Sequence, residues 1–170
     1  MAAIEAPNLR EVATHWNDAR GTKRMPRWED IDPAKIAPHL SIIWAWKYER
    51  ETDTFIGRLA GDAIIEAHRG HLRGKRMQDF FAGDQYAEIF SRNRRVVTEP
   101  AFARETGQVF SNVRRYGLGE RIIMPLATDG AQGDGILGAT IYSINQSAPP
   151  PSGQVKRPEM ALRTYFFALD

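Results

Sequence analysis

The side chains best suited to acid–base or ligand chemistry are four histidines, His15, His39, His68 and His71. No two stand at the spacing that sets a ligand pair on one helical face, so no metal site is expected. His68 follows Ile64 in a short helical stretch, where it could reach haem iron. Haem also demands a large apolar cavity, and a helix-end histidine touching backbone is the plainer reading, so no cofactor is expected. Cysteine is absent, which excludes disulfides, thiolate metal sites and thiol nucleophiles. No Ser-His-Asp order, Walker loop or close carboxylate pair is present, and the chain reads as non-catalytic. A single Asp or His hidden in a cupped α+β pocket, as in small isomerases or hydrolases, is the enzymatic alternative. Gly133-Asp-Gly-Ile-Leu-Gly138 matches a dinucleotide fingerprint, but a strand rather than a helix follows it, so it reads as a hairpin turn.

Cations and aromatics offer the other candidates. His68 to Arg76 holds four permanent positive charges in nine residues, enough to dock an anion; a solvated loop balanced by carboxylates is preferred, because no aromatic residues interleave with the charges. Arg92, Arg94, Arg95, Arg114 and Arg115 are read the same way. With 23 Lys and Arg against 21 Asp and Glu the net charge is only +2, and no nucleic-acid partner is expected. Arg58 alternates with Phe55, Gly57 and Leu59 along a strand, so it faces either the helices, where it must meet a carboxylate, a carbonyl array or an acidic ligand, or solvent. Trp44 and Trp46 share a strand face with Ile42 and Tyr48. Four large residues there either fill the core or form a patch for a homodimer or for docking an N-terminal helix through Trp16; the second is the expectation.

These residues must be held by elements that patterning predicts. A chain of 170 residues that is 42% hydrophobic and 26% charged supports one folded domain. Asn8 with Glu11 reads as the N-cap of a helix to Arg20, with Leu9, Val12, Ala13 and Trp16 on one stripe. Asp32-Pro33 starts a helix of one or two turns that carries Ile36 and Leu40. Ser41–Tyr48 and Thr54–Ala60 form an antiparallel hairpin. Short helices follow around Ile64 to His68 and Met77 to Phe81. A longer helix then begins at Asp84, with Tyr86, Ile89, Phe90, Asn93 and Val97 inward and Arg92 off that face. From Pro100 the period falls to two, giving strands over 101–110, 119–127 and 135–145. Three prolines at 149–151 end the domain, so 1–40 is a helical flank, 41–147 the core and 148–170 an extension. The N-terminus lacks a leader pattern and no window is apolar enough for a membrane span, so a cytoplasmic protein without membrane contact is expected.

Three stretches together resemble a known family. Arg20-Gly-Thr-Lys-Arg-Met-Pro26 with Asp30-Ile-Asp-Pro33 and Pro38-His-Leu40, then Phe55-Ile-Gly-Arg-Leu-Ala-Gly61 with Leu72-Arg-Gly74, then Met124-Pro-Leu126 with Asp129-Gly130 and Ile136-Leu-Gly138 are similar to a PAS-like family, abundant in alphaproteobacteria and formerly a domain of unknown function. The resemblance implies an α+β fold with a five-stranded antiparallel sheet and helices inserted between strands 2 and 3, all on one face. It implies a sensory or regulatory role in signal transduction, with no shared cofactor or catalytic residues. The chain carries no effector segment, so a separate signalling protein is the expected output partner. A small ligand would sit between helices and sheet against Arg58, Ile64, His68, Phe81, Tyr86, Phe90, Met124 and Tyr142. A filled interior would instead mark a pure protein-interaction module.

Overall fold

Helix α1 (Pro7–Arg20) opens with Pro7 in its first turn and stops at Gly21, whose φ of 54° a side chain would disfavour. The expected cap Asn8 lies inside the first turn, and Ala6 at the N-cap has no capping side chain. The role passes to a distant residue: the backbone N–H groups of Glu5 and Ala6 donate to the Glu120 carboxylate. The computed structural model describes residues 4–81, 83–112, 115–145 and 161–170. After α1, Asp32-Pro33 gives only turns, and a 3-10 helix runs Ala37–Ile42 with Pro38 at its start.

The hairpin is β1 (Ile43–Glu49) and β2 (Thr54–Ala60), followed by α2 (Asp62–His68), α3 (Met77–Phe80) and α4 (Gly83–Thr98). Then come β3 (Ala101–Asn112), β4 (Arg115–Leu126), β5 (Gly135–Asn145) and β6 (Arg163–Ala168). All pair antiparallel in one sheet, in the order β2-β1-β5-β4-β3-β6. Among the described residues the sheet therefore has six strands, not five. Residues read as an extension return to pair with β3, from Ala101↔Ala168 to Thr106↔Arg163. The early hairpin and the C-terminal strands do share one sheet.

The inserted helices α2–α4 pack on one face, as expected, and α1 covers the other. Alternation along the strands sends Ile43, Ala45, Ile122, Met124, Leu137 and Ala139 to one side, where Leu9, Val12, Ala13 and Trp16 of α1 meet them. Trp44, Trp46, Ile123 and Ile136 go to the other side, against Ile64, Met77, Val96 and Val97 of the inserted helices. Two glycines permit close approach on this second side. A Cβ on Gly138 would lie 2.2 Å from the Trp44 ring, and one on Gly57 would lie 1.9 Å from the Leu72 carbonyl oxygen. Gly57 thereby lets the 72–76 loop hydrogen-bond to β2 and cover that edge, through Gly57 N–H to Lys75 O and Gly74 N–H to Gly57 O.

The phase expected for β2 is broken by a bulge. Ala45 pairs with Leu59 and Trp46 with Gly57, so Arg58 is the extra residue. Phe55 belongs to the helix-side core, whereas Leu59 packs with the α1 side. Arg58 is exposed, its guanidinium 4.0 Å from the centroid of the Trp28 ring.

Candidate functional site

One row of polar side chains crosses the helix-facing side of the sheet. Thr164 of β6 stands opposite Glu105 of β3, Glu105 opposite Arg121 of β4, and Arg121 opposite Thr140 of β5. The row is bonded in the same sequence. Thr164 Oγ1 donates to Glu105 Oε1 at 2.9 Å, Arg121 Nη1 to Glu105 Oε2 at 3.0 Å, and Arg121 Nε to Thr140 Oγ1 at 3.0 Å. Arg121 Nη2 also donates to the Val109 carbonyl, and Trp44 Nε1 to Thr140 Oγ1 at 2.9 Å. Glu105 is fully buried and Thr140 nearly so.

Helix α4 lowers a second guanidinium onto this row. Arg92 Nη1 lies 3.0 Å from Glu105 Oε1, and its side chain is 10% exposed. Burial lowers the Arg92 pKa to about 10 against the opposing pull of Glu105, so it is charged at neutral pH. The expectation that Arg92 lies off the inward face is corrected. An arginine can turn inward when a carboxylate on the facing strand meets it. Arg92 Nε is buried without a partner, as are both amide atoms of Asn93, a residue only 1% exposed. Three orphaned polar atoms on consecutive residues are unusual for a protein interior.

A group of aromatic rings lies beside the row near Arg121, which bonds the carbonyl of Val109, the residue before Phe110, and whose charge acts on His68. His68 lies 5.6 Å from Phe80, 5.4 Å from Phe81 and 5.2 Å from Phe110, ring centre to ring centre. Phe110 stacks on Tyr142 at 5.6 Å, and the Tyr142 hydroxyl donates to the Ala63 carbonyl at 2.8 Å. Burial, reinforced by the positive charge of Arg121, lowers the His68 pKa to about 4, so the imidazole is neutral.

The structure thus brings together His68, Phe81 and Tyr142, with Ile64 in the same core. Tyr86 and Phe90 form a neighbouring aromatic pair against Phe55. Met124 is on the α1 face, because its neighbour Ile123 takes the helix side, and Arg58 is exposed on Trp28. Neither joins the group. The tryptophans expected at an interface are buried inside the chain, Trp16 and Trp46 to 3% and Trp44 to 7% exposure. Trp16 also lies across the sheet from the other two and donates its Nε1–H to Pro125 O. They offer no exposed patch. Sequence patterning singles out neither Glu105 nor Arg121, and it reads Arg92 as a solvated cation. The available signal was a charged residue at an inward position on each of two adjacent strands.

The α1 face carries its own polar cluster. Glu120 accepts from Arg104 Nε as well as from the amides before α1, and Arg104 Nη2 reaches Glu5 at 3.0 Å. An open groove of about 550 Å³ runs past Glu5, Arg104, Glu120, Arg163 and Tyr165. Among the described residues no cluster of three His, Asp or Glu side chains could hold a metal ion, and no helix is long and apolar enough to cross a membrane.

No curated protein and no solved structure matches the chain. A family model described as PAS domain matches residues 4–141, spanning α1, the hairpin, the inserted helices and most of β5. The match covers both polar clusters except for β6, and on this ground the chain belongs to the PAS domain family.

Proposed function

We propose that this PAS domain is a non-catalytic sensory module that takes a small ligand between α2–α4 and the sheet and passes its state to a separate signalling protein. The observation that carries the reading is the buried row headed by Glu105, with unpartnered polar atoms on Arg92 and Asn93 directly above the sheet. Orphaned polar groups cost about 1–3 kcal/mol each, and a ligand supplying their hydrogen bonds recovers that cost. Such a ligand is bound more tightly in one packing of the inserted helices than in another and so shifts their population. The aromatic shell of Phe80, Phe81, Phe110 and Tyr142 supplies apolar contact, as small-molecule sites require. Native mass spectrometry of the freshly purified intact chain should retain a small-molecule adduct. A bare chain mass, together with unchanged melting across a library of small metabolites, would overturn the reading.

A further inference from the structure

On the side of the sheet that faces α2–α4, among the described residues, the guanidiniums of Arg92 and Arg121, with side chains only 10% and 11% exposed, stand against the single fully buried carboxylate of Glu105. His68 contributes no charge. Glu88, which also acts on Arg92, is exposed on α4 and screened by solvent. The row therefore holds one positive charge more than it neutralises. A buried charge without a counter-charge is costly, and proteins keep one where a ligand completes it. The Nε–H edge of a guanidinium is the edge that receives a carboxylate side-on, and in Arg92 that Nε is unpartnered while Nη1 is committed to Glu105. We infer that the ligand of this site is a monocarboxylate with an apolar body, its carboxylate on Arg92 Nε beside Glu105 and its body against the Phe80–Phe81–Phe110 rings. One excess charge matches a monoanion and leaves a phosphate dianion over-compensated; the aromatic wall matches an apolar rather than a sugar-like body.

This rests on the pocket reading proposed above, and the test separates the two. Calorimetric titration of the full chain with hexanoate and benzoate is compared with the neutral hexanamide and benzamide, and with inorganic phosphate. At least one carboxylate should bind about tenfold or more tightly than its amide, as expected for a lost charge-assisted hydrogen bond. Arg92→Met should abolish that preference. This variant keeps the fold testable, because Glu105 retains Arg121 and Thr164 and the site becomes charge-balanced. Arg94→Met, which removes an exposed guanidinium of α4 paired with Asp53 and leaves Arg92 in place, should preserve it. Equal binding of acid and amide, a preference for phosphate, or carboxylate binding that survives Arg92→Met would sink the monocarboxylate assignment while leaving a ligand pocket standing. Failure of every probe, with a bare mass in native spectrometry, would remove both.

Discussion

His68 shows how far one residue's surroundings dictate its chemistry. Burial among three rings and the nearby Arg121 charge lower its pKa from 6.5 to about 4. The unfolded chain therefore binds a proton that the folded chain refuses between those values. Stability is intact above about pH 6.5 and falls as pH drops towards 4, by on the order of 3 kcal/mol for this residue. His15 adds a smaller effect of the same sign, since burial lowers its pKa too, while its Nε2 accepts the Asp32 amide proton. Urea midpoints measured from pH 7.5 to 4 should decline more steeply in the wild type than in His68→Leu; parallel declines would show that the imidazole is not held neutral. Asn93 makes a second residue-scale case. Its amide is buried without partners, so Asn93→Leu should raise unfolding stability of the ligand-free chain by about 1–2 kcal/mol. A loss of stability on chemical denaturation would mean that the amide has bonds in solution.

At the scale of elements, the hairpin, the inserted helices and the three long strands were legible, because apolar alternation and glycine or aspartate punctuation act within a few residues. What could not be read was whatever depends on distant partners. The bulge at Arg58 reverses the faces of β2 by one residue, and nothing local in Thr54–Ala60 announces it. Asn8 looked like a cap because it is a good one, yet Glu120 on β4 does that work from the far side of the sequence. Arg163–Ala168 becomes a sixth strand only by pairing with Ala101–Thr106 of β3, a partner far away in sequence. Of the expected site, the aromatic members were visible as an apolar face, whereas the charged row needed strand register, which sequence alone does not supply. The register also explains Gly138, which seats the Trp44 indole so that its N–H reaches Thr140. Gly138→Ala should displace that ring and cost about 1–3 kcal/mol by overpacking, with a shift in tryptophan emission. Unchanged emission and stability would show that the indole is seated by something other than this close approach.

Across the whole molecule, the two polar clusters stand back to back on the same pair of strands. Arg104 and Glu105 are successive residues of β3, and Glu120 and Arg121 of β4. Their side chains leave the sheet in opposite directions. Glu105 and Arg121 join Arg92 under α4, while Arg104 and Glu120 hold Glu5 and the start of α1. A change in how α4 sits on the row therefore acts on strands whose next residues anchor α1. Coupling of this kind needs a two-state element that both sites bias, and the β3–β4 ladder is the element in contact with both. Arg121 ties β4 to β3 through Glu105 and to β5 through Thr140. Arg121→Met should loosen the ladder beside Glu120 and speed hydrogen exchange of the Glu5 and Ala6 amides several-fold, on the opposite face from the substitution. Arg92→Met, which leaves the strand-to-strand bonds intact, should change those two amides little. Equal exchange at Glu5 and Ala6 in the wild type and Arg121→Met would mean that the β3–β4 ladder does not couple the two faces.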